Sequence, residues 1–254
     1  MNFKNLNLIN PIIRAVTETG YSKPTEIQHS AIPHILMRRD ILGCAPSGSG
    51  KTAAYAMPVL QLLKKNTTEH KEIRTLILTS TSERVLQIEE DIMVYSKYLP
   101  LSLLSITDGA STGSHLAALR KRVDILISSP EKLLDLVNQR PVDLSKIEIL
   151  ILDETDHMLD LDCVNDLKTI LTLTPKKKQT LFFSTVMEDH IRKFAEGILK
   201  NPVEITVSPK QLTDQADEPP VYFGEKKNDL ASGALQDLSI LSTPKQNKTF
   251  QYIN

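Results

Sequence analysis

A chain of 254 residues with 41% hydrophobic and 24% charged residues is long enough for one large α/β domain, or one domain plus a fragment of a second, and its composition excludes disorder throughout. With 30 basic against 31 acidic residues the net charge is -1, so any nucleic-acid binding must come from a local patch and not from the overall field. No apolar run approaches the roughly 18 residues of a membrane span, no leader-like segment is visible, and Cys44 and Cys163 have neither metal-ligand nor redox spacing, so a cytoplasmic location with no membrane partner is expected.

In chain order, Phe3 comes first, then "GYSKPTEIQ" (20–28), where Thr25 is suited to cap a helix. Short runs rich in Ile, Leu and Val follow: "ILGCA" (41–45), "TLILT" (75–79), "LSLLSI" (101–106), "DILIS" (124–128), "IEILIL" (147–152), "QTLFFS" (179–184) and "VEITV" (203–207). Amphipathic stretches such as 82–97 and 130–138 lie between them, with apolar residues at helical spacing. Strands apolar on both faces that alternate with helices predict an α/β fold with a doubly wound, mostly parallel sheet, whose ligands sit at the carboxyl ends of the strands. The basic runs "RKR" (120–122) and "KKK" (176–178) fall between predicted elements and read as solvated loops. Residues 1–207 form one expected domain, 208–228 a proline-containing linker, and 229–254 the start of a second domain.

The loop "APSGSGKT" (45–52) lies between an apolar strand and the helix-compatible "AAYAMPVLQLLKK", the context that phosphate binding requires. Ala45, Pro46, Ser47, Gly48, Ser49, Gly50, Lys51 and Thr52 are therefore the expected phosphate cradle. Gly48 and Gly50 let the backbone turn its amides inward, Lys51 reaches the terminal phosphates and Thr52 can coordinate Mg²⁺. Ala45 replaces the usual first glycine. In "ILILDETD" (149–156) an apolar strand delivers Asp153 and Glu154 to the same end of a parallel sheet. Asp153 suits the Mg²⁺ shell, and Glu154 suits orienting and deprotonating an attacking water. A GTPase would offer an Asn-Lys-x-Asp reader, but Asn247-Lys248 is followed by Thr249 and Phe250. A small-molecule kinase is not excluded by these motifs.

With Phe3, the segment "GYSKPTEIQ" resembles the adenine-reading motif of DEAD-box ATP-dependent RNA helicases. The likeness continues collinearly to about Val207: "APSGSGKT" is similar to the family's phosphate loop, "DETD" to its namesake box with Thr155 for alanine, "LTSTSERVLQI" (78–88) to "APTRELAxQ", "ISSPEKLLDL" (127–136) to "ATPGRLLDL", and "FFSTV" (182–186) to "FSAT". The resemblance implies a RecA-like domain that binds ATP and Mg²⁺, with Tyr21 packed on adenine and Gln28 hydrogen-bonded to its edge. It also implies that Lys51, Asp153 and Glu154 carry the hydrolysis.

Residues that the resemblance assigns to RNA or to coupling depart from the pattern, except Asp156 and Ser184. Ser82 stands for arginine and Ser80 for proline; Glu131 stands for a glycine whose backbone approaches an RNA phosphate, which its carboxylate would repel. Lys132 keeps the charge of an arginine without its fork, and Val186 lacks the hydroxyl that acts with Ser184. The resemblance further implies a second RecA-like domain that sends an arginine to the γ-phosphate, worth roughly a thousandfold in rate. The expected partners are RNA, bound weakly, and that second domain or a protein supplying it. The alternative is a non-catalytic, degenerate helicase half that binds nucleotide or a partner. The chain alone is expected to bind ADP or ATP weakly and to turn over slowly.

Overall fold

The computed structural model describes residues 2–65, 72–108, 112–139, 142–160 and 163–208. A 3₁₀ turn, Phe3–Leu6, precedes helices α1 (Asn10–Glu18) and α2 (Glu26–Leu36). Strands and helices then alternate: β1 (Ile41–Cys44), α3 (Lys51–Lys65), β2 (Thr75–Leu78), α4 (Ser82–Ser96), β3 (Leu103–Ile106), α5 (Thr112–Leu119), β4 (Ile125–Ser128), α6 (Pro130–Gln139) and β5 (Ile149–Leu152). After β5 come α7 (Thr155–Asp160), α8 (Val164–Leu173), β6 (Gln179–Ser184), α9 (Asp189–Ile198) and β7 (Val203–Thr206). The linker and second-domain assignments lie outside the described residues, apart from Ser208.

The strands form one sheet in the order β3-β4-β2-β5-β6-β1-β7, with every neighbouring pair parallel. Alternation along each strand divides the core by residue type. Ile41, Ile77, Ile125, Ile127, Ile149 and Ile151 join Leu181 and Phe183 on one face. Leu42, Leu76, Leu78, Leu126, Leu150 and Leu152 join Phe182 on the other. The isoleucine face is covered by α1 to α4 through residues such as Ile12, Ile27, Leu60 and Ile88. The leucine face is covered by α6, α8 and α9 through Leu133, Ile170 and Ile191. The sheet is thus wound on both sides, and a parallel sheet is stable because both faces are buried.

Buried polar groups tie the strands together. Asp40, just before β1, accepts from the Thr180 and Lys200 amides, both at 2.8 Å, which joins β6 and the approach to β7 to β1. Arg74, 1% exposed, pairs with Glu148 at 2.7 Å and donates to the Leu63 carbonyl at 3.1 Å. Because all strands run the same way, the segments after β1, β2, β4, β5 and β6 emerge at one edge. Among the described residues no helix is long and apolar enough to cross a membrane.

Candidate nucleotide site

The phosphate-type loop spans the gap between β1 and α3. Gly48 (φ 73°) and Gly50 (φ 86°) occupy the left-handed region that L residues avoid, and this turns the chain sharply enough to start α3 at Lys51. The loop is anchored to the sheet by the Ala45 amide, which donates to the Ser184 carbonyl at 3.1 Å. Lys51 Nζ folds back onto the loop and donates to the carbonyls of Ala45 at 2.6 Å and Pro46 at 3.2 Å. Burial pushes its ammonium below the ordinary lysine value, against the pull of Asp153 and Asp156. An anion that reached the loop would give this buried cation a charged partner in place of two carbonyls.

Gln28 sits in the first turn of α2 and joins that helix to the loop. Its Oε1 accepts from the Thr25 amide at 3.0 Å, half of a capping box, while Nε2 donates to the Gly50 carbonyl at 3.2 Å. Beside it opens a cavity of about 300 Å³, lined by Phe3, Tyr21, Gln28, Ser47, Gly48, Gly50, Lys51, Thr52, Arg84, Asp91, Tyr95 and Glu154. Tyr21, 62% exposed, is the most open aromatic of the lining, whereas Phe3 is 4% exposed and forms wall. Pro46 and Ser49 border a neighbouring cleft together with Ser47 and Gly48, and Ala45 is fully buried beneath the loop.

The two carboxylates after β5 behave differently. Asp153 is completely buried and accepts from Tyr55 Oη at 3.2 Å; burial and the nearby Asp153 charge push that phenol well above its ordinary value, so it stays a neutral donor. Glu154 is part-exposed, adopts φ 53°, and accepts from Ser80 Oγ at 2.9 Å. Strained backbone of this kind at the carboxyl edge of a sheet aims a side chain that the strand would otherwise bury.

Sequence reasoning missed Arg84. One of its terminal nitrogens, Nη2, donates to Thr52 Oγ1 at 2.9 Å and to Asp153 Oδ2 at 2.7 Å, and Nε lies 3.3 Å from Glu154 Oε1. One guanidinium therefore touches all three groups expected around Mg²⁺ and the attacking water. The signal lies in the sequence: in the motif "APTRELAxQ" leucine stands opposite Arg84, so a cation replaces an apolar residue two positions after Ser82. Asp91, two turns further along α4, was also missed; it lines the cavity, and burial raises its carboxyl above the ordinary value.

A second cluster lies at the same sheet edge. Ser82 Oγ donates to Asp108 Oδ2 at 2.7 Å, and Lys132 Nζ pairs with Asp108 Oδ1 at 2.8 Å. Asp108, which the sequence reading did not single out, thus gathers the two residues assigned to RNA phosphate; Glu131 is exposed beside them in the first turn of α6. Ser80 belongs instead with Glu154. On the coupling side, Thr155 Oγ1 donates to the Phe183 carbonyl at 2.9 Å, Asp156 Oδ2 accepts from the Thr185 amide at 3.1 Å, and Ser184 Oγ donates to the Val186 carbonyl at 2.6 Å. Val186 itself is 46% exposed.

The donor set of Thr52, Asp153 and Glu154 is made of hard oxygens of the kind Mg²⁺ takes, but all three already face the Arg84 guanidinium, so a divalent ion fits there only in its place. Among the described residues no three His, Cys, Asp or Glu side chains gather into a metal site, so phosphate oxygens and water would have to complete any such shell.

Residues 25–194 match the DEAD/DEAH box helicase family model. The chain is 34% identical over 211 residues to the DEAD-box ATP-dependent RNA helicase CshA of Bacillus cereus, covering 83% of this chain and 40% of that protein. It is 34% identical over 257 residues to the ATP-dependent RNA helicase DeaD of Escherichia coli, covering 98% and 40% respectively. In three dimensions it is similar to a DEAD box protein from Methanococcus jannaschii, with TM-score 0.76, 32% identity and coverage of 82% of this chain and 56% of that one. The ADP-bound RNA-helicase Prp28 from Chaetomium thermophilum gives the same TM-score and identity, covering 82% and 51%. The chain spans about 40% of the length of the curated relatives it matches. From motifs, sheet order and these likenesses together, the chain belongs to the DEAD/DEAH box helicase family.

Proposed function

We propose that this chain is the ATP-binding domain of a DEAD-box ATP-dependent RNA helicase, acting in the cytoplasm with a second RecA-like domain or a protein that supplies one. The observation that carries the reading is the convergence, at one edge of the sheet, of the glycine loop, Gln28 and Glu154 around a single cavity, with Asp153 buried behind Arg84, which lines it. The names of its relatives, CshA and DeaD, support RNA as the macromolecular ligand.

In this reading Tyr21 stacks on adenine and the Gln28 carboxamide exchanges its contacts with Thr25 and Gly50 for the base edge. Lys51 leaves the Ala45 and Pro46 carbonyls for the terminal phosphates, exchanging two neutral acceptors for anionic ones. Glu154, held by Ser80, orients water and takes its proton. Thr52 and Asp153 are the oxygens that would hold Mg²⁺, to neutralise charge on the phosphates, only if Arg84 left them. Ser184 and Asp156 fix the segment after β6, placing it to report nucleotide state to the opposite domain.

One observation favours a second reading, a non-catalytic module that holds nucleotide. Ser82 and Lys132 are both engaged by Asp108, and Glu131 adds another carboxylate, so the expected RNA phosphate position carries net negative charge. ATP hydrolysis with and without single-stranded RNA, with Lys51→Ala as the blank, separates the two. RNA-stimulated turnover lost in the blank supports the helicase reading. ATP binding with no turnover above the blank supports the module.

A further inference from the structure

We infer that Arg84 is a tethered cation occupying the metal position, so that this domain binds adenine nucleotide without requiring a divalent ion. The inference deepens the nucleotide-site reading above and rests on it. It follows from which atoms the guanidinium uses. Thr52 Oγ1 and Asp153 Oδ2, at 2.9 and 2.7 Å from one Arg84 nitrogen, are the oxygens that a divalent ion would need. Mg²⁺ demands oxygen ligands at about 2.1 Å in near-octahedral order. It cannot take these two while a guanidinium nitrogen sits between them, and two cations in contact repel.

Arg84 is also held in place. It lies in the first turn of α4, where its amide donates to the capping Thr81 Oγ1 at 3.2 Å, and its other terminal nitrogen donates to Gln87 at 3.2 Å. Its departure would leave Asp153, 0% exposed, with Tyr55 Oη, its own neighbour's amide and the more distant charge of Lys51, but no cation in contact. Stripping a buried carboxylate of its charge partner is strongly unfavourable, so the arginine is retained unless another cation replaces it. One feature points to a ligand: Nε is buried and, although 3.3 Å from Glu154 Oε1, makes no hydrogen bond in the described residues. A phosphate oxygen entering the cavity, which Arg84 lines, would satisfy that donor.

The test is binding of a fluorescent ADP to the 254-residue chain in EDTA and in millimolar Mg²⁺, for wild type, Arg84→Leu and Arg84→Lys. Wild type is expected to differ by less than about threefold between the two conditions, and Arg84→Leu to bind at least about tenfold more tightly with Mg²⁺, the scale of one charge-assisted contact. Mn²⁺ electron paramagnetic resonance reads the same site directly: with ADP, Arg84→Leu immobilises Mn²⁺ and wild type does not. Arg84→Lys keeps a charge beside Asp153 and guards against loss of fold; it is expected to bind in EDTA, more weakly than wild type. Wild-type binding that needs Mg²⁺ as strongly as Arg84→Leu or Arg84→Lys does overturns the inference while the nucleotide site stands. Absence of ADP binding by wild type in both conditions overturns the nucleotide site and the inference with it.

Discussion

Replacing Gly50 by alanine probes the link between the loop and Gln28, and its cost can be worked from the structure. At φ 86° an L residue pays about 1–2 kcal/mol for the left-handed conformation. A Cβ at Gly50 would also run into Gln28 Nε2, the atom that donates to the Gly50 carbonyl at 3.2 Å, and losing that bond costs about 1 kcal/mol. The total of about 2–3 kcal/mol corresponds to a fall in Tm of about 5–10 °C for a domain of this size. Gly48 is the internal control. Its φ is 73° and nothing lies within 4 Å of the Cβ position, so Gly48→Ala should show the conformational cost alone. Thermal unfolding followed by circular dichroism gives both numbers. In a double-mutant cycle, Gly50→Ala with Gln28→Ala should be less damaging than the sum by about 1 kcal/mol. Equal losses at Gly48 and Gly50, or full additivity with Gln28→Ala, would refute the coupling of the base-reading glutamine to the loop.

Asp108→Ala frees Ser82 and Lys132 and removes a carboxylate; affinity for single-stranded RNA, measured by fluorescence anisotropy across salt concentrations, should rise and its salt slope steepen by about one phosphate contact. The Lys97 hydrogen bond, followed by that of Tyr98, holds the Glu18 carboxyl down at about 2. A depressed carboxyl contributes stability above its unfolded value of about 4.3 that is lost as pH falls toward its folded value. The gap in urea midpoint between wild type and Glu18→Gln should therefore be larger at pH 6 than at pH 3. Glu154→Gln should leave ADP affinity within about threefold while abolishing any hydrolysis the chain supports, since it keeps the hydrogen bond acceptor for Ser80 but not the base.

The strands were legible because each lies in a short segment rich in Ile, Leu, Val or Phe, unbroken in β2 and β5 and interrupted by single polar residues in β3 and β7. The loop and the acidic pair were legible because glycine spacing and strand-end carboxylates are local signals. What escaped is long-range side-chain reach. Arg84 acts across from α4 onto the end of β5, and no periodicity encodes where a flexible guanidinium comes to rest. Asp108 escaped because it lies just after β3 and acquires meaning only when it meets Ser82 and Lys132 from other segments. Ser80 was read as a lost proline on the RNA side, yet its hydroxyl supports Glu154. Gln28 was read for its ligand alone, while the structure shows both ends of its carboxamide engaged with the protein.

The most direct test of the account is a comparison of ADP and GDP binding by the wild-type chain, Gln28→Ala and Lys51→Ala, by isothermal titration calorimetry. The account predicts that wild type binds ADP in clear preference to GDP, that Gln28→Ala erases the preference, and that Lys51→Ala abolishes binding of both. Equal affinity for the two nucleotides, or undiminished binding by Lys51→Ala, would contradict it.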